Sequence, residues 1–244
     1  MPTIDLVRLL RKAEVAEETF AFWFEKPKNF SFTAGQYLSL TLGNVADPDP
    51  RARTHSFSIA SAPYEPELMV AMRMRESYFK EQLRAMPLGS PVTVRGPYGS
   101  FIFTEDDTRP AIFLIGGIGI TPVRSMVLEA TQEHRARSII VFSANRGPKN
   151  AAFLADLQLA AAENPHFTFI PTMTGTDGGD PTWTGEVGRI DRAMVERYVK
   201  TIPEQHAPRY YLVGPADMVR TMRELLSTMA ISPESIMTEE FTGY

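Results

Sequence analysis

Three glycines fall within four positions at 116–119, in the stretch Leu-Ile-Gly-Gly-Ile-Gly-Ile-Thr-Pro that runs from Leu114 to Pro122. Glycine is spent where a backbone must turn tightly or lie bare against a ligand. Thr121 suits a helix cap and Pro122 a first helical position. The residues therefore predict a strand, a tight turn and a helix whose open N–H groups and partial positive charge favour a diphosphate. The pattern Gly117-x-Gly119 has no third glycine, and Glu129 and Glu133 fall within the helix rather than at the spacing of a ribose-binding acid. A tight turn without a ligand would use the same residues.

Two further stretches carry polar groups at suggestive spacing. In His55-Ser56-Phe57-Ser58-Ile59-Ala60-Ser61, two serines stand three apart at a strand end beside an aromatic residue; a strand with its polar residues facing out reads the same way. In residues 142–150, Ser143, Asn145, Arg146 and Lys149 could meet a 2′-phosphate, because arginine binds phosphate bidentately. No acid stands there to repel that phosphate, which points to NADPH over NADH, and a solvated polar loop is the other reading.

Composition closes off other chemistries. The chain has no cysteine, so it can hold no disulfide, thiolate zinc site or cysteine-ligated iron–sulfur cluster of its own. The four histidines, at 55, 134, 166 and 206, lack metal-ligand spacing, and no metal site is expected. A net charge of −4 gives no reason to expect nucleic acid as a partner. The N-terminal residues are too charged for the apolar core of a signal peptide, and no apolar run approaches membrane-spanning length. The expectation is a soluble, cytoplasmic protein with no membrane span.

The elements that must position these residues change rhythm along the chain. Residues 19–27, 36–42, 53–61, 67–74 and 91–97 read as short strands, with Leu38, Leu40 and Leu42 alternating with polar residues. Close spacing and intervening turn residues predict an antiparallel β-barrel over 1–105, with one helix capped by Ser77. Polar, proline-ended residues 105–110 read as a linker. From 106 to 244, strands near 111–115, 137–143, 167–173, 209–214 and 236–241 alternate with helices near 122–134, 150–164, 190–200 and 217–229. That alternation predicts an α/β domain with a parallel sheet and helices on both faces.

In this order the motifs resemble those of the ferredoxin–NADP reductase-like flavoproteins, of the flavodoxin reductase and oxygenase-reductase type without an iron–sulfur domain. The residues carrying the resemblance are the strand at 55–61, Arg-Met-Arg-Glu-Ser at 73–77, Gly-Pro-Tyr-Gly-Ser-Phe at 96–101, the glycine turn at 116–122, Tyr-Leu-Val-Gly-Pro at 211–215, and the acidic-aromatic stretch at 238–244. The resemblance implies a flavin-binding barrel over 1–105 and an NAD(P)-binding domain over 106–244. It implies that Phe57 packs on the flavin ring with Ser58 near the reacting nitrogen, and that Arg73, Arg75, Glu76 and Ser77 hold flavin phosphate. Gly116, Gly117, Gly119 and Thr121 would shape the nucleotide pocket, with Ser143 and Arg146 toward a 2′-phosphate and Gly214 and Pro215 bordering the nicotinamide. Glu240, with Phe241 or Tyr244, would lie near the other flavin face. Three positions depart from the family pattern. His55 replaces an arginine, for which Arg53, on the same strand face, would supply the charge; Phe57 replaces a tyrosine; Val213 replaces a cysteine.

The implied activity is that of an NAD(P)H-dependent flavoprotein oxidoreductase. It would pass electrons from NADPH or NADH, through bound FAD or FMN, to a separate electron-carrier protein such as ferredoxin, flavodoxin or an oxygenase component. An NAD(P)H:flavin reductase using flavin as substrate, and a non-catalytic flavin- or nucleotide-binding regulator, are the alternatives.

Overall fold

Fourteen consecutive residues near the N-terminus, Thr3–Ala16, form a strand (β1) where the sequence reading assigns none. Arg8, Arg11 and Glu14 are exposed and Asp5 and Lys12 half-buried, while Val7 and Leu9 enter the core, and it pairs antiparallel on both edges. The computed structural model describes residues 2–43, 53–104, 107–175, 182–200, 202 and 207–241. The expected turn over 44–52 falls outside them, as do His206 and Tyr244.

The described residues form two units. One holds 1–103 with 121–129; the other holds 104–120 with 130–244. In the first unit β1 is followed by β2 (Thr19–Glu25), β3 (Tyr37–Leu42), β4 (Thr54–Ser58), β5 (Glu67–Arg73), helix α1 (Tyr78–Ala85) and β6 (Pro91–Tyr98). The strands form a six-stranded antiparallel sheet in the order β4-β3-β6-β1-β2-β5. Beyond β4 the chain reaches the other edge strand, where the Ala60 N–H donates to the Met69 carbonyl at 2.7 Å, curling the sheet toward a barrel. Alternation explains the core: Leu38, Leu40 and Leu42 from β3, Phe22 and Phe24 from β2, and Val92 and Val94 from β6 all point inward. Each buried large side chain contributes about 1.5–3 kcal/mol.

The second unit reads β7 (Ala111–Gly116), α2 (Ile120–Gln132, whose residues 121–129 count with the first unit), β8 (Ile139–Asn145), α3 (Leu154–Glu163), β9 (Phe167–Met173), β10 (Glu186–Val187), α4 (Arg192–Val199), β11 (Arg209–Pro215), α5 (Ala216–Thr228) and β12 (Ile236–Phe241). Its sheet is parallel, in the order β10-β9-β8-β7-β11-β12. Every residue of β7 is buried, as a central strand covered on both faces requires. No helix among the described residues is long and apolar enough to cross a membrane.

The segment read as a linker contains an anchor. Asp107 accepts from Arg109 (2.9 and 2.8 Å), pairs with Arg209 at 2.8 Å and lies 3.4 Å from Arg137. Arg137 also donates to the carbonyls of Arg109 and Asp107. One carboxylate thus ties together the entry ends of β7, β8 and β11. The Arg109 hydrogen bonds, aided by the Arg109 and Arg209 charges, outweigh burial and hold the Asp107 carboxyl at about 2.

Candidate functional site

In the second unit the chain runs outward from β7 through β8, β9 and β10, then returns to the other side of β7 with β11 and β12. The order reverses between β7 and β11, and open α/β sheets bind ligands outside the carboxyl ends of strands at such a reversal. Those ends are Gly116 on β7 and Gly214-Pro215 on β11. Gly117 adopts φ 54° and Gly214 φ 152°, conformations that favour glycine.

The glycines serve the chain's own packing there. A Cβ on Gly119 would lie 2.6 Å from the Val213 carbonyl oxygen, and one on Gly116 would lie 2.2 Å from Met218 Sδ. The turn at 117–119 is a single 3₁₀ turn that runs directly into α2. Thr121 is consequently the second residue of the helix and 2% exposed, not its cap, which corrects the sequence reading. Val213, in the position of the family's cysteine, is 1% exposed and faces the core. Parallel register sets Glu240 beside Gly214 and Phe241 beside Pro215, with Glu240 exposed and Phe241 half-buried.

Ser143 is 2% exposed and its hydroxyl accepts from Asn145 Nδ2 at 3.1 Å, so it is engaged inside the sheet rather than offered to a phosphate. Asn145, at the carboxyl end of β8, is buried and its Oδ1 has no hydrogen-bond partner among the described residues. Arg146, the next residue, is exposed, and its carbonyl accepts from the Gly175 N–H at 2.9 Å.

In the first unit β4 is an edge strand whose described pairing is with β3. The Ser39 and Ser56 hydroxyls lie 3.0 Å apart, and those of Thr41 and Thr54 lie 2.9 Å apart. On alternate positions His55 and Phe57 meet Phe79 of α1, with ring centroids 4.5 and 5.7 Å away. Ser58 is 5% exposed, inside the sheet at the strand end. Ser61 is structural: its Oγ accepts from the Met69 N–H at 3.0 Å, and its carbonyl accepts from Ser125 Oγ at 2.7 Å. Arg124 pins the same loop, donating to the Ala60 carbonyl and to Glu65 at 2.8 Å.

Arg53 and Arg73 are half-buried, Arg75 and Glu76 exposed. Ser77 occupies the N-cap of α1, yet its side chain makes no capping hydrogen bond. Lys80, which the sequence reading passed over, is half-buried in the first turn of α1. Burial first, then the Arg75 charge, lowers its ammonium below the ordinary range, and burial with the Lys80 charge lowers His55. The signal was available in the sequence: a lysine in a helix's first turn opposes the helix dipole.

The oxidoreductase NAD-binding domain model matches residues 113–224, spanning the glycine turn and β11. Over that segment the chain carries an oxidoreductase NAD-binding domain. The chain is 29% identical over 220 residues to the phenol hydroxylase P5 protein of Acinetobacter pittii, covering 86% of this chain and 58% of that one. It is 28% identical over 186 residues to a subunit of the Na(+)-translocating NADH-quinone reductase of Methylococcus capsulatus, covering 76% and 44%. The chain thus spans about half the length of the curated relatives it matches. The fold is shared with a ferredoxin NADP+ reductase from Neisseria gonorrhoeae solved with FAD and NADP, at a TM-score of 0.80 and 18% identity, covering 97% and 98%.

Proposed function

We propose that the chain takes electrons from NADPH or NADH and passes them, by way of bound FAD, to a separate electron-carrier protein such as ferredoxin, flavodoxin or an oxygenase component. The observation that carries this reading is the convergence of Gly116, Gly117, Gly119, Gly214 and Pro215 at the reversal of the parallel sheet, within the matched nucleotide-binding segment. Residues 1–244 hold no cysteine to ligate an iron–sulfur cluster through thiolates, so on this reading the electrons leave the flavin for a group outside these residues.

Two features fit the ligands. The orphaned Asn145 Oδ1 is a buried acceptor that costs about 1–3 kcal/mol while unsatisfied, and a ribose hydroxyl has the donor it lacks. Beside the His55 ring stand the phenyl rings of Phe57 and Phe79, which suits a flat ring system. On this reading Phe57 packs on the flavin, Ser58 closes the strand end near it, and Arg53, Arg73, Arg75, Glu76 and Ser77 frame the phosphate. Arg146 meets a 2′-phosphate when NADPH binds; Gly214 and Pro215 border the nicotinamide, and Glu240 and Phe241 extend that border through β12. Flavin, when bound, supplies the conversion of a two-electron donor into single-electron steps. The protein's own task is to bind, orient and exclude water.

The test is anaerobic titration of the FAD-loaded protein with NADPH and with NADH. Loss of the flavin's visible absorbance, and its return when ferredoxin or flavodoxin is added, is the expected result. Unchanged absorbance under saturating nucleotide would overturn the reading.

A further inference from the structure

The lack of an acid at the end of β8 reads, in the sequence, as room for a 2′-phosphate. The structure sets a different group there. Ala144 pairs with Gly116 in the parallel register, so Asn145 stands one residue beyond that pair, on the strand next to the turn that opens at Gly117. Its backbone is fixed: the Asn145 carbonyl accepts from the Thr174 N–H at 2.8 Å and from the Thr174 hydroxyl at 3.1 Å. Its amide is fixed as well. Nδ2 donates to the Ser143 hydroxyl at 3.1 Å and lies 3.5 Å from the Ser143 carbonyl oxygen. Turned over, the amide would set its own oxygen against that carbonyl, so Oδ1 is the atom left unpaired. Asn145 is 6% exposed, and Oδ1 has no hydrogen-bond partner among the described residues. A group arriving beside it gains by bringing a hydrogen and loses by bringing negative charge.

We infer that Asn145 makes the second unit select the nucleotide whose adenosine ribose keeps its 2′-hydroxyl, so that NADH is preferred to NADPH. The inference rests on the nucleotide reading above, in which the strand beside the glycine turn meets that ribose. The two nucleotides differ at this sugar alone. A 2′-hydroxyl has a hydrogen to donate to Oδ1, whereas a 2′-phosphate near neutral pH carries close to two negative charges and has none to give. Arg146, the next residue, attracts a phosphate, but its side chain is exposed and salt screens it; the buried amide dipole is screened far less.

The experiment is titration calorimetry of the full chain with NAD+ and NADP+, the oxidised nucleotides, which deliver no hydride. It compares the wild type, Asn145→Leu and Asn145→Asp at low and at physiological salt. The wild type is expected to bind NAD+ about tenfold more tightly than NADP+, and the gap should widen as salt screens Arg146. Asn145→Leu has a side chain of similar size and no acceptor. It should weaken NAD+, leave NADP+ within about twofold of its wild-type affinity, and bring the two within about threefold of each other. Asn145→Asp puts a full negative charge at the same place and should widen the preference for NAD+; this variant decides the matter if the leucine variant does not fold. Wild-type affinities within about twofold of each other, tighter binding of NADP+, equal weakening of both nucleotides by Asn145→Leu, or a narrower preference in Asn145→Asp overturns the assignment while leaving the nucleotide reading intact. A wild-type protein that binds neither nucleotide overturns both.

Discussion

At Gly119 the decisive quantity is a distance of 2.6 Å from an added Cβ to the Val213 carbonyl oxygen, which real side chains do not tolerate. The obstacle is backbone, so relief requires the turn and the end of β11 to separate. Gly119→Ala should therefore lower both stability and nucleotide affinity. A cost of about 2 kcal/mol would lower the melting temperature by roughly 4–8 °C for a chain of this size, read by calorimetry. NADPH affinity should fall with it. A variant with wild-type melting temperature and affinity would show that the turn can open without cost. The pair of buried Arg124 and half-buried Glu65 makes a second prediction at this scale. Arg124→Ala removes the guanidinium from the Glu65 carboxylate, which keeps only the Ala62 N–H at 2.6 Å, and takes the side-chain donor from the Ala60 carbonyl. It should destabilise the protein by about 3 kcal/mol in urea unfolding.

Among the elements, the second sheet depends on Asp107 at the entry ends of its strands. Its carboxyl is depressed from 3.8 to about 2, chiefly by the Arg109 hydrogen bonds. A depressed carboxyl contributes stability that is fully present above its unfolded value and is lost as pH falls through its folded value. The loss should therefore run from about pH 4 down to about pH 2 and amount to about 2 kcal/mol. Urea unfolding at stepped pH checks this, with Asp107→Asn showing lower stability at pH 6 and a flatter response to acid. The sequence read this residue as part of a linker because its partners, Arg137 and Arg209, are 30 and more positions away. The same limit of local reading hid β1: Arg8, Arg11, Lys12 and Glu14 look like a solvated face, and only pairing with β2 and β6 makes the segment a strand. Elements with strong internal period were legible, such as β3 with its alternating leucines and β7 with its unbroken apolar run. The site was legible where glycine marked a backbone constraint, at 116–119 and 214. It was illegible where burial decides: nothing local says that Ser143 and Asn145 face inward.

Across the whole molecule, each unit has its own apolar core, with Leu38, Phe22 and Phe24 in one and Leu114, Phe142 and Leu212 in the other. On the proposed reading each also has its own ligand, flavin in the first and nicotinamide nucleotide in the second. Binding and turnover should then respond differently to substitution. Phe57→Ala removes a ring contact from the first unit and should weaken FAD, by about 1 kcal/mol or fivefold, while leaving NADPH affinity within about twofold of wild type. Gly119→Ala should do the reverse. Because these two sites share no residues, their effects on the two affinities should add in the double variant within about 0.5 kcal/mol. Turnover should fall in either single variant, since electrons must leave one ligand for the other. Equilibrium titration of each ligand against each variant, set beside anaerobic reduction rates, separates the cases. If Phe57→Ala weakens both ligands equally, one binding event depends on the other and the division of labour between the units is wrong.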